Sequence, residues 1–325
     1  MIDGVVRPVS AQLVAQLGQI EAELPGADSD WGQRAVTAAM DECLAELANT
    51  NLWGRENELP SSVLWNVAGP ILARGWMQHR ARTKPRGYAG DFELLGRMVR
   101  HQLCEDPVGR LFDEYFQKLA APIAVRNRSA VVRDWVAELV KSSNRPIRVT
   151  VVGSGPAYDI EDAVRKLSPD EAARLEVRLL DYDPQALEDA ERRIASLLPA
   201  GNFRALAGSL FRIPDRPKLA NWLEGADLIV SVGMFDYLDR AQSARMLKTF
   251  WDLASPGGEV AVFNFSPRNT SRAYMEWIGN WYLLYRDEAE MQQMATDAGL
   301  PEELVVHGSE PSGVDLFLRA RKPAG

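Results

Sequence analysis

Over the first part of the chain, apolar side chains recur three and four positions apart. Val9, Leu13, Leu17 and Ile20 form one helical stripe, and Ala35, Ala39, Cys43, Leu44 and Leu47 a second. Val63, Val67, Ile71 and Leu72, then Leu111, Tyr115, Leu119 and Ile123, then Val131, Trp135 and Leu139 continue the period. Pro25-Gly26, Gly54, Pro60, Gly69-Pro70 and Pro107 punctuate these stripes, so residues 1–144 read as a helical domain that ends at Ser142-Ser143-Asn144-Arg145-Pro146. After Pro146 the pattern changes. Short β-type runs at 147–152, 175–180, 226–231 and 259–265 alternate with helical stretches, the order that builds a parallel sheet covered by helices. Residues 145–325 therefore read as a second, α/β domain.

The first of these runs, Ile147-Arg148-Val149-Thr150-Val151-Val152, empties into Gly153-Ser154-Gly155-Pro156-Ala157-Tyr158-Asp159. Two glycines permit positive φ and let a ligand approach bare backbone, and a helix starts at once, which is the arrangement that cradles a nucleotide-like ligand. A glycine turn also occurs simply to close a backbone, so the continuation decides. The second run ends in Asp181, at the distance along the chain where a carboxylate at a strand tip accepts both hydroxyls of a ribose.

The succession of glycine loop, Asp181-Tyr182-Asp183-Pro184, Phe203 to Leu210 and Ala226 to Ser231 resembles the class I S-adenosylmethionine-dependent methyltransferases over roughly residues 144–325. That resemblance implies a Rossmann-like seven-stranded sheet closed by a C-terminal antiparallel hairpin, here 303–307 and 314–319 around Gly308-Ser309-Glu310-Pro311-Ser312-Gly313, with the helical domain as a lid. It implies S-adenosylmethionine as cofactor. Gly153, Ser154, Gly155 and Pro156 would surround its methionine part, Asp181 the ribose, Tyr182, Ser209 and Leu210 the adenine, and Ser231, Val232, Gly233 and Met234 the methyl end. Val151, Ala157 and Ser209 depart from the pattern, and Asp159 either takes over polar work at the methionine end or is a first-turn helix acid favoured by the macrodipole. A nicotinamide-linked reductase also places an acid after its second strand; the closing hairpin separates the two.

Composition narrows the picture. With 46% apolar and 25% charged residues and no apolar run of membrane-spanning length, the chain reads as an ordinary soluble protein, and Met1-Ile2-Asp3-Gly4 lacks the basic and apolar regions of a leader, so a cytoplasmic location is expected. A net charge of -8 argues against a nucleic-acid partner and leaves a small molecule. Cys43 and Cys104 read as core residues, and His79, His101 and His307 show no metal-ligand spacing.

In the helical domain, Lys84-Pro85-Arg86-Gly87-Tyr88-Ala89-Gly90-Asp91 precedes an amphipathic helix expected over 92–102, for which Asp91 is also a natural N-cap. The stretch is similar to a signature of bacterial 3-hydroxypalmitate methyl ester synthases, a subgroup that esterifies fatty-acid carboxylates. Asn264 to Asn269 and the aromatic run over 274–285 match the same subgroup. Its implied acceptor residues are Arg86, Tyr88 and Asp91 on one side and Arg268, Trp281, Tyr285 and Arg286 on the other, with Asp236 behind the fourth strand as a further catalytic candidate. A carboxylate acceptor is ionised at neutral pH and needs no base, only donors that orient it. N-methylation of an amine or guanidine would instead use Asp91, Asp236, Trp281 and Tyr285 as an acidic aromatic cage. A third reading, a non-catalytic cofactor-binding regulator, follows from the three departures.

Overall fold

The structure is a computed structural model that describes residues 3–26 and 30–324; the opening Met1-Ile2, weighed above for a leader, lies outside them. The chain divides into two compact units, one of residues 1–123 with 269–283 and one of residues 124–268 with 284–325.

The first unit is helical: α1 (Asp3–Glu23), α2 (Trp31–Ala48), α3 (Glu58–Leu72), α4 (Trp76–Thr83), α5 (Phe92–Val99) and α6 (Pro107–Gln117). Apolar stripes form its core, with Leu13, Leu17, Met40, Leu47, Leu64 and Leu72 fully buried; in α3 the buried face is Leu64, Ala68 and Leu72, whereas the expected Val63, Val67 and Ile71 are half-buried. Gly69-Pro70 does not end α3, which runs on to Leu72. The helix after Asp91 is shorter than expected and stops at Val99, with His101 in a left-handed conformation just beyond it. Cys43 lies in this core, where burial pushes its thiol up to about 12, the state of an unreactive packing residue.

The second unit begins inside α7 (Ala120–Lys141) and continues with α8 (Tyr158–Arg165), α9 (Pro169–Ala172), α10 (Pro184–Ile194), α11 (Pro217–Leu223), α12 (Arg240–Leu253) and α13 (Glu288–Asp297). Its strands are β1 (Ile147–Val152), β2 (Leu175–Asp181), β3 (Phe203–Ala207), β4 (Ala226–Ser231), β5 (Ala254–Phe265), β6 (Val305–Ser309) and β7 (Asp315–Arg321), in the order β3-β2-β1-β4-β5-β7-β6. β1 to β5 pair in parallel, and β7 runs antiparallel to both β5 and β6. One face of the sheet packs on Val132, Val136 and Val140 of α7, Ile160 of α8 and Ile194 of α10; the other packs on Leu247 and Phe250 of α12 and Met294 of α13. The strands are apolar on both faces because both are covered.

Two differences from the expected division have a physical cause. α7 shares the core of β1 and β2, so burial of its valine stripe, and not the Ser142–Pro146 stretch, decides which unit it joins. The aromatic run, which follows the fifth β-type run in the chain, falls with the helices up to Leu283. There Tyr274 stacks on Phe116 with centroids 4.8 Å apart and donates to Gln78 Oε1 at 2.8 Å, and Trp65 Nε1 donates to the Ile278 carbonyl at 2.8 Å. Residues Tyr274–Ile278 form one π-type turn.

The turn before α5 is built around Gly90, whose φ is +70 and where an added Cβ would lie 2.5 Å from the Trp281 ring. Gly90→Ala should therefore destabilise the protein by roughly 2–4 kcal/mol, the sum of left-handed strain and overpacking. Urea unfolding measures it; a change within error would show that the turn and Trp281 are not packed together.

Candidate functional site

In an open α/β sheet ligands gather where the strand order reverses, beyond the carboxyl ends of the strands, and here that point lies between β1 and β4. The chain leaving β1 turns through Gly153 (φ 68), Gly155 (φ 50) and Ala157 (φ 49). The Gly153 N–H donates to the Leu180 carbonyl at 2.8 Å and the Gly155 N–H to Asp181 Oδ2 at 2.7 Å. Asp181 Oδ1 accepts from the Asp183 N–H at 2.9 Å, and Asp183 in turn caps α10 through the Gln185 N–H. Burial raises the Asp181 pKa, opposed by the two N–H donors, so the carboxylate is a brace between the loop and the tip of β2. Each of its oxygens keeps a second acceptor direction. From α10, Arg193 donates to the Pro156 carbonyl, pairs with Glu161 at 2.5 Å and with Asp189 at 3.0 Å, and lies 4.1 Å from the Tyr158 ring centroid.

The turns after β1, β3 and β4 converge on this loop. A Cβ on Gly153 would lie 3.4 Å from Leu210 Cδ1 and 3.6 Å from Met234 Cβ. Thus the structure brings together most of the residues singled out as cofactor contacts. Ser154 and Ser231, at the ends of β1 and β4, bury hydroxyls that have no hydrogen-bond partner among the described residues. Such groups are costly and call for an explanation. Tyr182 is 65% exposed beside the brace. Asp159, in the first turn of α8, is buried, accepts from the Ile160 N–H at 3.0 Å and is pushed up to about 6 by burial. Ala157, a departure from the glycine pattern, holds the left-handed conformation that a third glycine would adopt without strain.

Behind β4 lies a buried charged group that sequence reasoning found only in part. Asp236 accepts from the Phe265 N–H at 2.8 Å; burial, reinforced by Asp315 and opposed by Arg128, pushes it up to about 8. Arg128 of α7 pairs with Asp315 at 2.7 Å. Arg128 and Asp315 were not anticipated, because 187 positions separate them. The one signal for Arg128 is an arginine inside an otherwise buried helix face.

Several expected acceptor residues are engaged elsewhere. Asp91 is the N-cap of α5, accepting from the Glu93 and Leu94 N–H groups at 3.1 and 3.0 Å, and is clasped by Arg80 Nε at 2.8 Å. Arg86 pairs with Glu93 at 2.8 Å and lies over Phe92. Arg286 is buried, and its guanidinium donates to the Phe235 carbonyl at 2.9 Å, the Leu238 carbonyl at 2.5 Å and Asn264 Oδ1, closing the turn after β4. Its donors thus hold the backbone, a structural role that the reading of Arg286 at the substrate did not include. Arg268 is half-exposed and pairs with Glu288 at 2.8 Å. Trp281 packs on Gly90 in the helical unit, whereas Tyr285 belongs to the sheet unit. Tyr88 is half-buried in the turn before Asp91.

No family model and no curated protein sequence matches the chain. Among solved structures, it is similar to a possible exported protein of Bordetella parapertussis, at 21% identity over 98% of this chain and 97% of that one, with a TM-score of 0.58. It is also similar to the CurJ carbon methyltransferase, at 14% identity over 99% and 92% of the two chains and a TM-score of 0.52. A third likeness is to a putative methyltransferase of Thermobifida fusca, at 16% identity over 71% and 94%, with a TM-score of 0.50. The fold is that of the class I methyltransferases. The antiparallel β7 between β5 and β6 sets it apart from the all-parallel six-stranded dinucleotide fold. No helix among the described residues is long and apolar enough to cross a membrane.

Because the folded pKa of Asp159 stands above that of a free carboxyl, the native state binds the extra proton between about pH 4 and pH 6, and stability falls as pH rises through that window. Asp159→Asn should remove roughly 2–3 kcal/mol of that loss. Urea unfolding of both proteins between these limits tests it; parallel pH profiles would mean that Asp159 titrates normally.

Proposed function

We propose that the chain is an S-adenosylmethionine-dependent methyltransferase whose acceptor is a carboxylate, giving a methyl ester. The observation that carries the cofactor reading is the convergence of a braced glycine loop, Asp181 and the β4 turn at the sheet's reversal point, with the buried Ser154 and Ser231 hydroxyls lacking protein partners there. A ligand rich in hydroxyl, amino and carboxylate groups fits that donor set. When bound, S-adenosylmethionine supplies a methyl group already activated by its sulfonium. Gly153 to Pro156 would hold its methionine end, the remaining acceptor directions of Asp181 its ribose, and Leu210, Ser209 and Tyr182 its adenine. Ser231, Val232, Gly233 and Met234 would line the reacting end. The buried Asp159 favours a cationic ammonium beside it, which would return its pKa toward the ordinary range.

The acceptor reading rests on where acids and bases stand. Asp91 is occupied by a helix cap and an arginine, and burial beside Asp315 pushes Asp236 up to about 8. Asp236 is thus the one candidate base of the two, and an acceptor that arrives ionised needs neither, only alignment and exclusion of water. In this reading Tyr88 and Trp281 are the aromatic candidates for the acceptor within the helical unit, and Tyr285 that of the sheet unit. Arg86, Arg268 and Arg286 no longer supply the clamp.

Calorimetry should find S-adenosylmethionine binding that Asp181→Ala weakens by about 1.5–3 kcal/mol, as charged hydrogen bonds are lost and the loop is released. Unchanged affinity in that variant, or preference of the native chain for a nicotinamide dinucleotide, would sink the cofactor assignment. For the acceptor, Asp236→Asn should keep turnover within about tenfold, because no base is being removed. Abolished turnover with intact cofactor binding would favour the N-methylating alternative.

A further inference from the structure

The basic run before the Gly90 turn contains two cations that the structure treats differently from their neighbours. Arg80 is paired with Asp91 and Glu93, Arg86 with Glu93, and Arg74 with Asp106 and Glu21. Arg82 and Lys84 have no carboxylate within ion-pair distance among the described residues. Arg82 donates only to the hydroxyls of Ser61 at 3.1 Å and Ser62 at 3.3 Å, with its guanidinium 5.3 Å from the Trp65 ring centroid. Those two hydroxyls themselves donate to the Glu58 carbonyl, at 3.1 and 2.9 Å, which fixes their lone pairs toward the arginine. Lys84 follows at the left-handed end of α4, its main chain pinned by its N–H to the Arg80 carbonyl and by Gly87 to its own carbonyl. The Tyr282 hydroxyl is buried beside the Ser61 hydroxyl and within the electrostatic reach of Arg82, and makes no hydrogen bond of good geometry.

Both cations are half-buried, and burial lowers the pKa of each; Arg82 lowers that of Lys84 further, and Glu58, acting at longer range, only partly offsets this. A half-buried guanidinium held by neutral hydroxyls and a tryptophan face is poorly compensated, and a second cation beside it raises the cost. One oxyanion would relieve both. A planar arginine fork and a lysine point charge are the usual partners of a carboxylate or phosphate group, and a tyrosine hydroxyl supplies a neutral donor.

We propose that Arg82, Lys84 and the Tyr282 hydroxyl, supported by Ser61 and Ser62, form an oxyanion subsite in the helical unit that takes the charged end of the acceptor. The inference deepens the acceptor reading above and rests on it. The shared chemistry is an oxyanion, and its source is either a free carboxylate or a phosphate ester.

NMR titration of the full chain tests this without cofactor or turnover, with hexanoate followed by saturation transfer and inorganic phosphate by phosphorus line width. Native protein should bind at least one probe in the millimolar range; hexanoate alone assigns a carboxylate and phosphate alone a phosphate ester. Arg82→Gln should weaken that binding about tenfold or more, and Arg82→Lys should recover it only in part. Lys84→Gln, at the end of α4, should weaken it severalfold and decides the matter if Arg82→Gln fails to fold. S-adenosylmethionine affinity, measured separately, should stay unchanged in each variant. Failure of both probes to bind the native chain, or equal binding by native protein and Lys84→Gln or Arg82→Gln, overturns the subsite while leaving the cofactor reading intact.

Discussion

The site depends on one carboxylate. Asp181 ends β2 and gives one oxygen to the Gly155 N–H and the other to the Asp183 N–H. It thereby fixes the loop after β1 against the tip of β2 and, through the Asp183 cap, against the start of α10. The same helix returns Arg193 to the Pro156 carbonyl on the far side of the loop. A turn with three left-handed residues in a row of five is thus held near its middle by two charged groups, at Gly155 and Pro156. Backbone kept in that conformation presents its N–H groups and bare α-carbons to a ligand without further reorganisation.

Arginine pairing explains much of the rest. Guanidinium groups are costly to bury alone, so the fold gives most of its buried or half-buried arginines a carboxylate or a set of carbonyls. Arg128 meets Asp315, Arg80 meets Asp91, and Arg286 meets the carbonyls of Phe235 and Leu238. Each pairing makes the cation a structural tie, and for Arg286 it engages the donors that the sequence reading gave to the substrate. Arg82 stands out against that background, because hydroxyls and an aromatic face take the place of a counter-charge.

What could be read from the sequence was local. The glycine loop, the acid at the end of β2, the buried run of β4 and the closing hairpin are all set by a few consecutive residues, and the structure has each of them close to its expected place. β5 begins earlier than the expected run of 259–265, at Ala254, because the register with β4 shifts between Ala226 and Leu228 and absorbs the extra residues. The allegiance of α7 and of residues 269–283 was not legible, since an apolar stripe does not say which surface will cover it. Nor was the fate of Arg286, whose partners lie 22 to 51 positions away. Conversely, Asp91 had two readings, and its cap and its bond to Arg80 favour the structural one.

Methyl transfer itself is the most direct test of this account. With methyl-labelled S-adenosylmethionine and a panel of short, medium and hydroxylated carboxylic acids, the account predicts label in a product that releases volatile methanol on mild base treatment. Label in a base-stable methylamine from an amine panel, or no transfer to any acid by a chain that binds the cofactor, would contradict it.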